Sequence, residues 1–313
     1  MAKFRDSVLV EPEVLPPELQ PSPPRTAGVG ANDSTVLDRS IGDILAELRN
    51  LSAEQVEQIL AHQRAHGVRF GEAAVALGLA SRDDVLFALA QQFHYPYAPE
   101  EQRQVSPELV ALREPFGPRA EAFRALRSHV IMRLFNEPGP RSAVAVISPD
   151  AGDGKTYCTA NLAVSLAQLG GRTLLVDADL RGPRQHQVFG LTNRAGLSGI
   201  LSGRSDNQVI QQVPGVESLF VLPVGTTPPN PLELVERPAF GLLMRELTSK
   251  FDHVVVDTPA AVYGADASVI AARCGAALVI ARKHASRVAW LQELLASFDG
   301  SPVKVAGVVM NEY

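Results

Sequence analysis

ISPDAGDGKTYCTANLA, Ile147 to Ala163, follows an apolar run and leads into a helix-like run. Upstream, AVAVIS reads as a buried strand; downstream, TYCTANLAVSLAQL reads as a helix. A loop between two such elements points successive backbone N–H groups and a helix N-terminus at one spot, which suits a phosphate. Ala151, Gly152, Asp153, Gly154, Lys155, Thr156 and Tyr157 make up this candidate nucleotide cradle. The glycines admit close approach of backbone, Lys155 is placed to reach β- and γ-phosphates, and the Thr156 hydroxyl to ligate Mg²⁺. Strict P-loop spacing asks for glycine at position 149, where Pro149 stands; this alters the approach to the loop and leaves the cradle in place. A glycine turn capping an ordinary helix explains the glycines but not the Lys-Thr pair.

Outward from the loop, further apolar runs end in acids or glycine: RTLLVDAD, SLFVLPVG, HVVVDTPA, AALVIAR and VKVAGVVM. Helix-like segments at 157–169, 239–249, 265–274 and 287–297 separate most of them. This alternation predicts an α/β fold, a P-loop NTPase with a mostly parallel sheet covered by helices on both faces. Ligands of such sheets bind at the carboxyl ends of strands. Asp177 and Asp179, two apart in LLVDAD, are expected to leave a strand end as a pair. Asp257, closing the β-run of FDHVVVDTPA, is expected to hold Mg²⁺. Asn311, at the end of the last strand near the same edge, is expected to contact the adenine.

The rest of the chain sets limits. Its 313 residues allow one good-sized core and a smaller domain, and 46% hydrophobic with 20% charged residues is an ordinary globular composition. A net charge of −5 gives no basic footprint for nucleic acid. The start has no apolar signal region, and no run approaches the ~20 apolar residues that span a bilayer. Cys158 and Cys274 stand in no metal spacing and read as buried thiols in a reducing, cytoplasmic setting. Residues 1–38, rich in proline and acid, are expected to be a disordered leader.

Residues 39–98 contain a repeat: IGDILAELRNLSAEQVEQILAHQ from Ile41 superimposes on FGEAAVALGLASRDDVLFALAQQ from Phe70. Ser52 and Ser81 precede the longer helix of each copy as N-caps. Each copy reads as a short helix, a turn and a longer helix, and the two copies can bury their apolar faces against each other. Residues 99–117 are expected to be a linker, and 118–313 the α/β domain. In EAFRALR, Glu121, Arg124 and Arg127 share a broad helical face, while Phe123, Leu126, Val130 and Leu134 make an apolar stripe for the core.

GDGKT, then LLVDADLR, then VVVDTP resembles the bacterial tyrosine kinases (BY-kinases) of exopolysaccharide systems, in particular the EpsG-like chain-length-determinant type. The similarity also runs through RSIGDILAEL, RFGEAAVALGL, EAFRALR, TTPPNPLELVERPAF and VVMNEY, which covers nearly everything after about residue 39. The resemblance implies an ATP- and Mg²⁺-dependent protein-tyrosine autokinase regulating polysaccharide polymerisation and export. Lys155 then binds phosphate, Thr156 and Asp257 organise Mg²⁺, Asp177 receives or orients the tyrosine hydroxyl, and Asp179 assists. Glu121, Arg124 and Arg127 match the family's oligomerisation element, E-x-x-R-x-x-R, and imply a ring or other homo-oligomer. A membrane polysaccharide co-polymerase is implied as the partner supplying an activating tail, with the protein held at the inner face of the plasma membrane. The C-terminal tyrosine cluster of many such kinases is reduced here to Tyr313 as the candidate phosphorylation site. The repeat resembles the N-terminal module of secretion ATPases, some of which bind cyclic di-GMP; Arg69-Phe70-Gly71 keeps that pattern, whereas Ser40 and Arg49 depart from it.

Two other functions fit the same motifs. One is a ParA/MinD-like positioning ATPase, although Asp150 and Ala151 stand where that loop has its extra lysine and first glycine. The other is a degenerate kinase whose function is ATP-gated assembly.

Overall fold

The computed structural model describes residues 40–92, 106–135, 141–204 and 209–312. The leader at 1–38, the 93–105 part of the module boundary and linker, and Tyr313 lie outside the described residues.

Four helices come first: α1 (Ile41–Arg49), α2 (Ala53–His66), α3 (Phe70–Ala76) and α4 (Arg82–Gln92). The expected caps are present. The Ser52 hydroxyl accepts from Gln55 N at 3.2 Å while Gln55 Oε1 accepts from Ser52 N at 2.9 Å. Ser81 and Asp84 repeat this reciprocal capping in the second copy. The two copies do bury their apolar faces on one another, around Leu45, Ile59, Ala73, Ala74 and Ala88. Gly71 is needed there, because a Cβ would come within 2.6 Å of a Val85 methyl. Arg49, the departure in the first copy, ties the two copies together, with its guanidinium 2.7 Å from the carboxylate of Asp84.

Residues 106–117, read from the sequence as linker, pack onto the α/β core. Helix α5 (Val110–Arg113) and Leu109 are buried there, and Asn161 accepts from Ala111 N at 2.9 Å while donating to Glu108 O. Four consecutive apolar residues, Leu109 to Leu112, explain why this stretch does not stay in solvent. Helix α6 (Pro118–Val130) follows, and Phe123, Leu126, Val130 and Leu134 line the core as expected.

The α/β layer starts with β1 (Ala143–Ile147) and α7 (Lys155–Ala167), then β2 (Thr173–Asp177), α8 (Gln185–Val188) and α9 (Leu197–Leu201). An antiparallel pair, β3 (Gln211–Val213) and β4 (Val216–Leu222), precedes α10 (Pro231–Glu236) and α11 (Pro238–Lys250). The chain closes with β5 (His253–Asp257), α12 (Asp266–Cys274), β6 (Gly275–Arg282), α13 (Val288–Ala296) and β7 (Lys304–Asn311). The seven strands run β3-β4-β2-β5-β1-β6-β7, parallel except for the β3–β4 pair. Strands β1 and β2 are buried along their whole length, as expected of a sheet covered on both faces. Apolar clusters lie against the sheet under α11 and α12 on one side and under α7 on the other. Cys158 and Cys274 are buried free thiols, and burial pushes Cys158 up to about 12. Among the described residues no helix is long and apolar enough to cross a membrane.

Candidate active site

The order β2-β5-β1 puts Asp177, Asp257 and the loop after β1 on three adjacent strand ends. Asp177 and Asp257 are direct register partners, so their carboxylates leave the sheet side by side. The loop from Ser148 to Gly154 enters α7, whose first residue is Lys155. Gly154 has φ +99°, and a side chain there would collide with the amide of Asn311. That amide donates to Asp153 O at 2.9 Å, and the Ser286 hydroxyl donates to Asp153 Oδ1 at 2.8 Å. The end of β7 and the loop after β6 therefore hold the phosphate cradle from outside.

A cleft of about 770 Å³ opens over the loop. Ala151, Gly152, Gly154, Lys155, Thr156, Tyr157, Asp179 and Asn311 line it. Asp153, by contrast, is turned away from the cleft and engages Asp150 N and Ser286 with its carboxylate. Lys155 is nearly buried and donates to the Ser148 hydroxyl at 3.0 Å. Burial pulls its ammonium below the usual lysine range, against the opposing pull of Asp257, Asp179, Asp153 and Asp150. Tyr157 is half buried, packs edge-on against Phe123 at 5.5 Å and is hydrogen-bonded by Arg119; burial pushes its phenol up.

The structure separates the two acids that the sequence paired. Asp177 is fully buried, accepting from Asp179 N at 3.3 Å and Gln185 N at 3.0 Å, and does not line the cleft. Asp179 does, with its carboxylate seated on Arg181 N and Gly182 N at 3.1 and 2.9 Å. The strand geometry that would pair them stops at Asp177, where Ala178 N bonds Asp257 O and the chain turns. Of the two acids, Asp179 faces the cleft and Asp177 lies buried behind it. Asp257 is also buried, hydrogen-bonded by Gln185 Nε2 at 2.8 Å and by Thr156. Desolvation pushes Asp257 up to about 6, and desolvation followed by the adjacent Asp257 pushes Asp177 well above the carboxylate range.

These donors fit Mg²⁺. No cluster of three or more His, Cys, Asp or Glu capable of caging a metal exists among the described residues. A hydroxyl and one or two carboxylates beside a phosphate cradle form the usual Mg²⁺ environment, in which phosphates and water complete the shell.

Sequence reasoning missed several residues. Arg119, Arg181 and Arg184 line the cleft, with Arg181 forked onto buried Asp266 at 3.2 and 3.0 Å and Arg184 paired with Glu108 at 2.8 Å. The arginines of LRGPRQH were visible in the sequence, but their spacing assigned them nothing. Gln185 carried no signal. Of the face on α6, Arg124 bonds Glu121 and Pro115 O, and Arg127 donates to Ser165 O at 2.9 Å.

The profile of the CobQ/CobB/MinD/ParA nucleotide binding domain matches residues 144–313. The chain is 33% identical over 206 residues to the tyrosine-protein kinase YwqD of Bacillus subtilis, covering 65% of this chain and 85% of that one. It is 31% identical over 204 residues to the tyrosine-protein kinase wzc of Salmonella typhimurium, covering 65% of this chain but 28% of the other, so it spans about a quarter of that relative. The kinase domain of the Escherichia coli tyrosine kinase ETK superimposes with a TM-score of 0.62 at 29% identity, covering 67% of this chain and 81% of that domain.

Proposed function

This chain belongs to the CobQ/CobB/MinD/ParA nucleotide-binding family, in its bacterial tyrosine-kinase branch, and from that premise we propose an ATP- and Mg²⁺-dependent protein-tyrosine autokinase. The observation that carries the reading is one cleft lined by Lys155, Thr156 and Asp179, with Asp257 hydrogen-bonded to Thr156 beneath it. Lys155 and the loop N–H groups hold the β- and γ-phosphates, and Thr156 and Asp257 organise the metal. Mg²⁺, when bound, neutralises phosphate charge as it shifts toward the leaving oxygen. Asp179 orients the acceptor tyrosine. The phenol oxygen bonds to the γ-phosphorus, the bond to the bridging oxygen breaks, ADP leaves, and the phenolic proton passes to Asp179 late. A carboxylate is a poor base for a phenol of pKa about 10, so positioning outweighs prior deprotonation. Asn311 supports the cradle and borders the nucleotide.

We propose that this activity serves exopolysaccharide polymerisation and export, with a membrane co-polymerase supplying the activating tail at the inner face of the membrane, a reading that the resemblance supports. Tyr313 is the proposed acceptor in the tail. Incubation with ATP and Mg²⁺ followed by mass-spectrometric mapping should find phosphotyrosine at Tyr313. Its absence there, with phosphotyrosine elsewhere, would remove Tyr313 from the account without touching the cleft.

Self-association is proposed through the α6 face. Arg127 is committed to Ser165 O and Arg124 to Pro115 O and Glu121, so Glu121 is the exposed member of the face. Exchanging the two charges (Glu121→Arg with Arg124→Glu) keeps an ion pair within the helix while reversing what a neighbour meets. Ultracentrifugation should show the double variant as a monomer at concentrations where the wild type assembles. An unchanged oligomer would mean that this pair is only a solvated face.

A further inference from the structure

Gln185 is fully buried, and it touches all three elements of the site. Its backbone N–H donates to Asp177 Oδ2 at 3.0 Å. Its side-chain amide donates to Asp257 Oδ2 at 2.8 Å and to Thr156 O at 3.1 Å. A backbone carbonyl only accepts, and an ionised carboxylate only accepts, so the NH₂ group must face these two and the amide orientation follows. Gln185 Oε1 is then left buried with no hydrogen-bond partner among the protein atoms. A buried acceptor without a donor is costly, and in a site built for a hydrated cation it marks a place for a water.

We propose that Gln185 is a positioning residue for the metal: its amide ties Asp257 to the phosphate-loop helix, and its free oxygen accepts a hydrogen bond from a water of the Mg²⁺ hydration shell. This rests on the assignment of the cleft to a Mg²⁺-nucleotide. Glutamine suits this role because one NH₂ group serves two acceptors while the carbonyl stays available, and because it adds no charge to a pair of carboxylates already crowded together. Oriented donors and acceptors around a metal's ligands tune its binding without touching the nucleotide.

The test compares ADP affinity by titration calorimetry with and without Mg²⁺ for the wild type and for Gln185→Met, which keeps volume and removes the polar atoms. The wild type should show a marked Mg²⁺ enhancement. Gln185→Met should lose roughly ten- to a hundredfold of that enhancement, the range typical of residues supporting metal ligands, while its metal-free ADP affinity stays unchanged. Equal enhancement in both proteins would overturn the proposal and leave the nucleotide site standing. Loss of metal-free affinity to the same extent as the affinity with metal would also overturn it, since Gln185 would then be packing alone. A wild type indifferent to Mg²⁺ would overturn the metal reading itself, and this inference with it. If Gln185→Met does not fold, Gln185→Asn decides by the same comparison: one methylene shorter, it cannot span Asp257 and Thr156 O together, and an undiminished enhancement contradicts the proposal.

Discussion

Lys155→Met is expected to weaken ATP binding strongly and to abolish tyrosine phosphorylation while the circular dichroism spectrum is unchanged. The ammonium lies nearly buried at the start of α7, held by Ser148 Oγ and the Asp150 carbonyl. Burial already pulls it toward the neutral form, and the surrounding acids oppose this. A nucleotide's phosphates would strengthen that opposition and take the ammonium as their nearest counter-charge. Truncating one member of a buried, hydrogen-bonded charge pair costs about 2–5 kcal/mol, roughly one and a half to three and a half orders of magnitude in affinity. Methionine fills the same channel without charge, so the free protein loses little. An ATP affinity unchanged in this variant, measured by calorimetry, would remove the phosphate cradle from the account.

Asp257→Asn is expected to separate stability from function. In the protein free of metal, burial pushes this carboxyl up to about 6 from an ordinary value of 3.8, so the folded chain holds its proton more tightly than the unfolded chain. Stability from this group is thus fully present below about pH 4 and is lost as pH rises through about 6. At pH 7.5 the buried charge is destabilising, and asparagine removes it. The variant should melt a few degrees higher than wild type at that pH, at about 2–4 °C per kcal/mol for a domain of this size. Its advantage should vanish below pH 4. With Mg²⁺ and ATP the ranking should reverse, because the wild type gains the stabilisation of ligand binding and the variant does not. A variant less stable than wild type at pH 7.5 without metal would show that the hydrogen bonds from Gln185 and Thr156 outweigh the desolvation of Asp257.

Much of this site is legible in the amino-acid sequence alone. Continuous apolar runs ending in acids mark the buried parallel strands, because each needs only its own residues to be recognised. The glycines, lysine and threonine of the phosphate loop are contiguous and legible for the same reason, as are the paired Ser52 and Ser81 caps. What stays hidden depends on contacts far apart in the chain. Gln185 meets Asp257 across 72 residues, Ser286 meets Asp153 across 133 and Asn311 meets Asp153 across 158. No local period encodes such meetings. The separation of Asp177 from Asp179 is hidden because alternation along a strand says nothing about where the strand ends. The burial of α5 is underestimated because prolines and charges around Leu109–Leu112 outweigh four apolar residues in the reading of that segment.

On this mechanism the cleft passes the γ-phosphoryl group of ATP to a tyrosine rather than to water. Following labelled γ-phosphate tests that most directly: purified protein is incubated with ATP and Mg²⁺, beside Lys155→Met as control. Label is then divided between protein phosphotyrosine and free phosphate. Label on tyrosine is expected in the wild type, growing with time and absent from the variant. Label released wholly as free phosphate, with the protein and an added tyrosine peptide both unmodified, would contradict this and leave an ATP-gated assembly protein in its place.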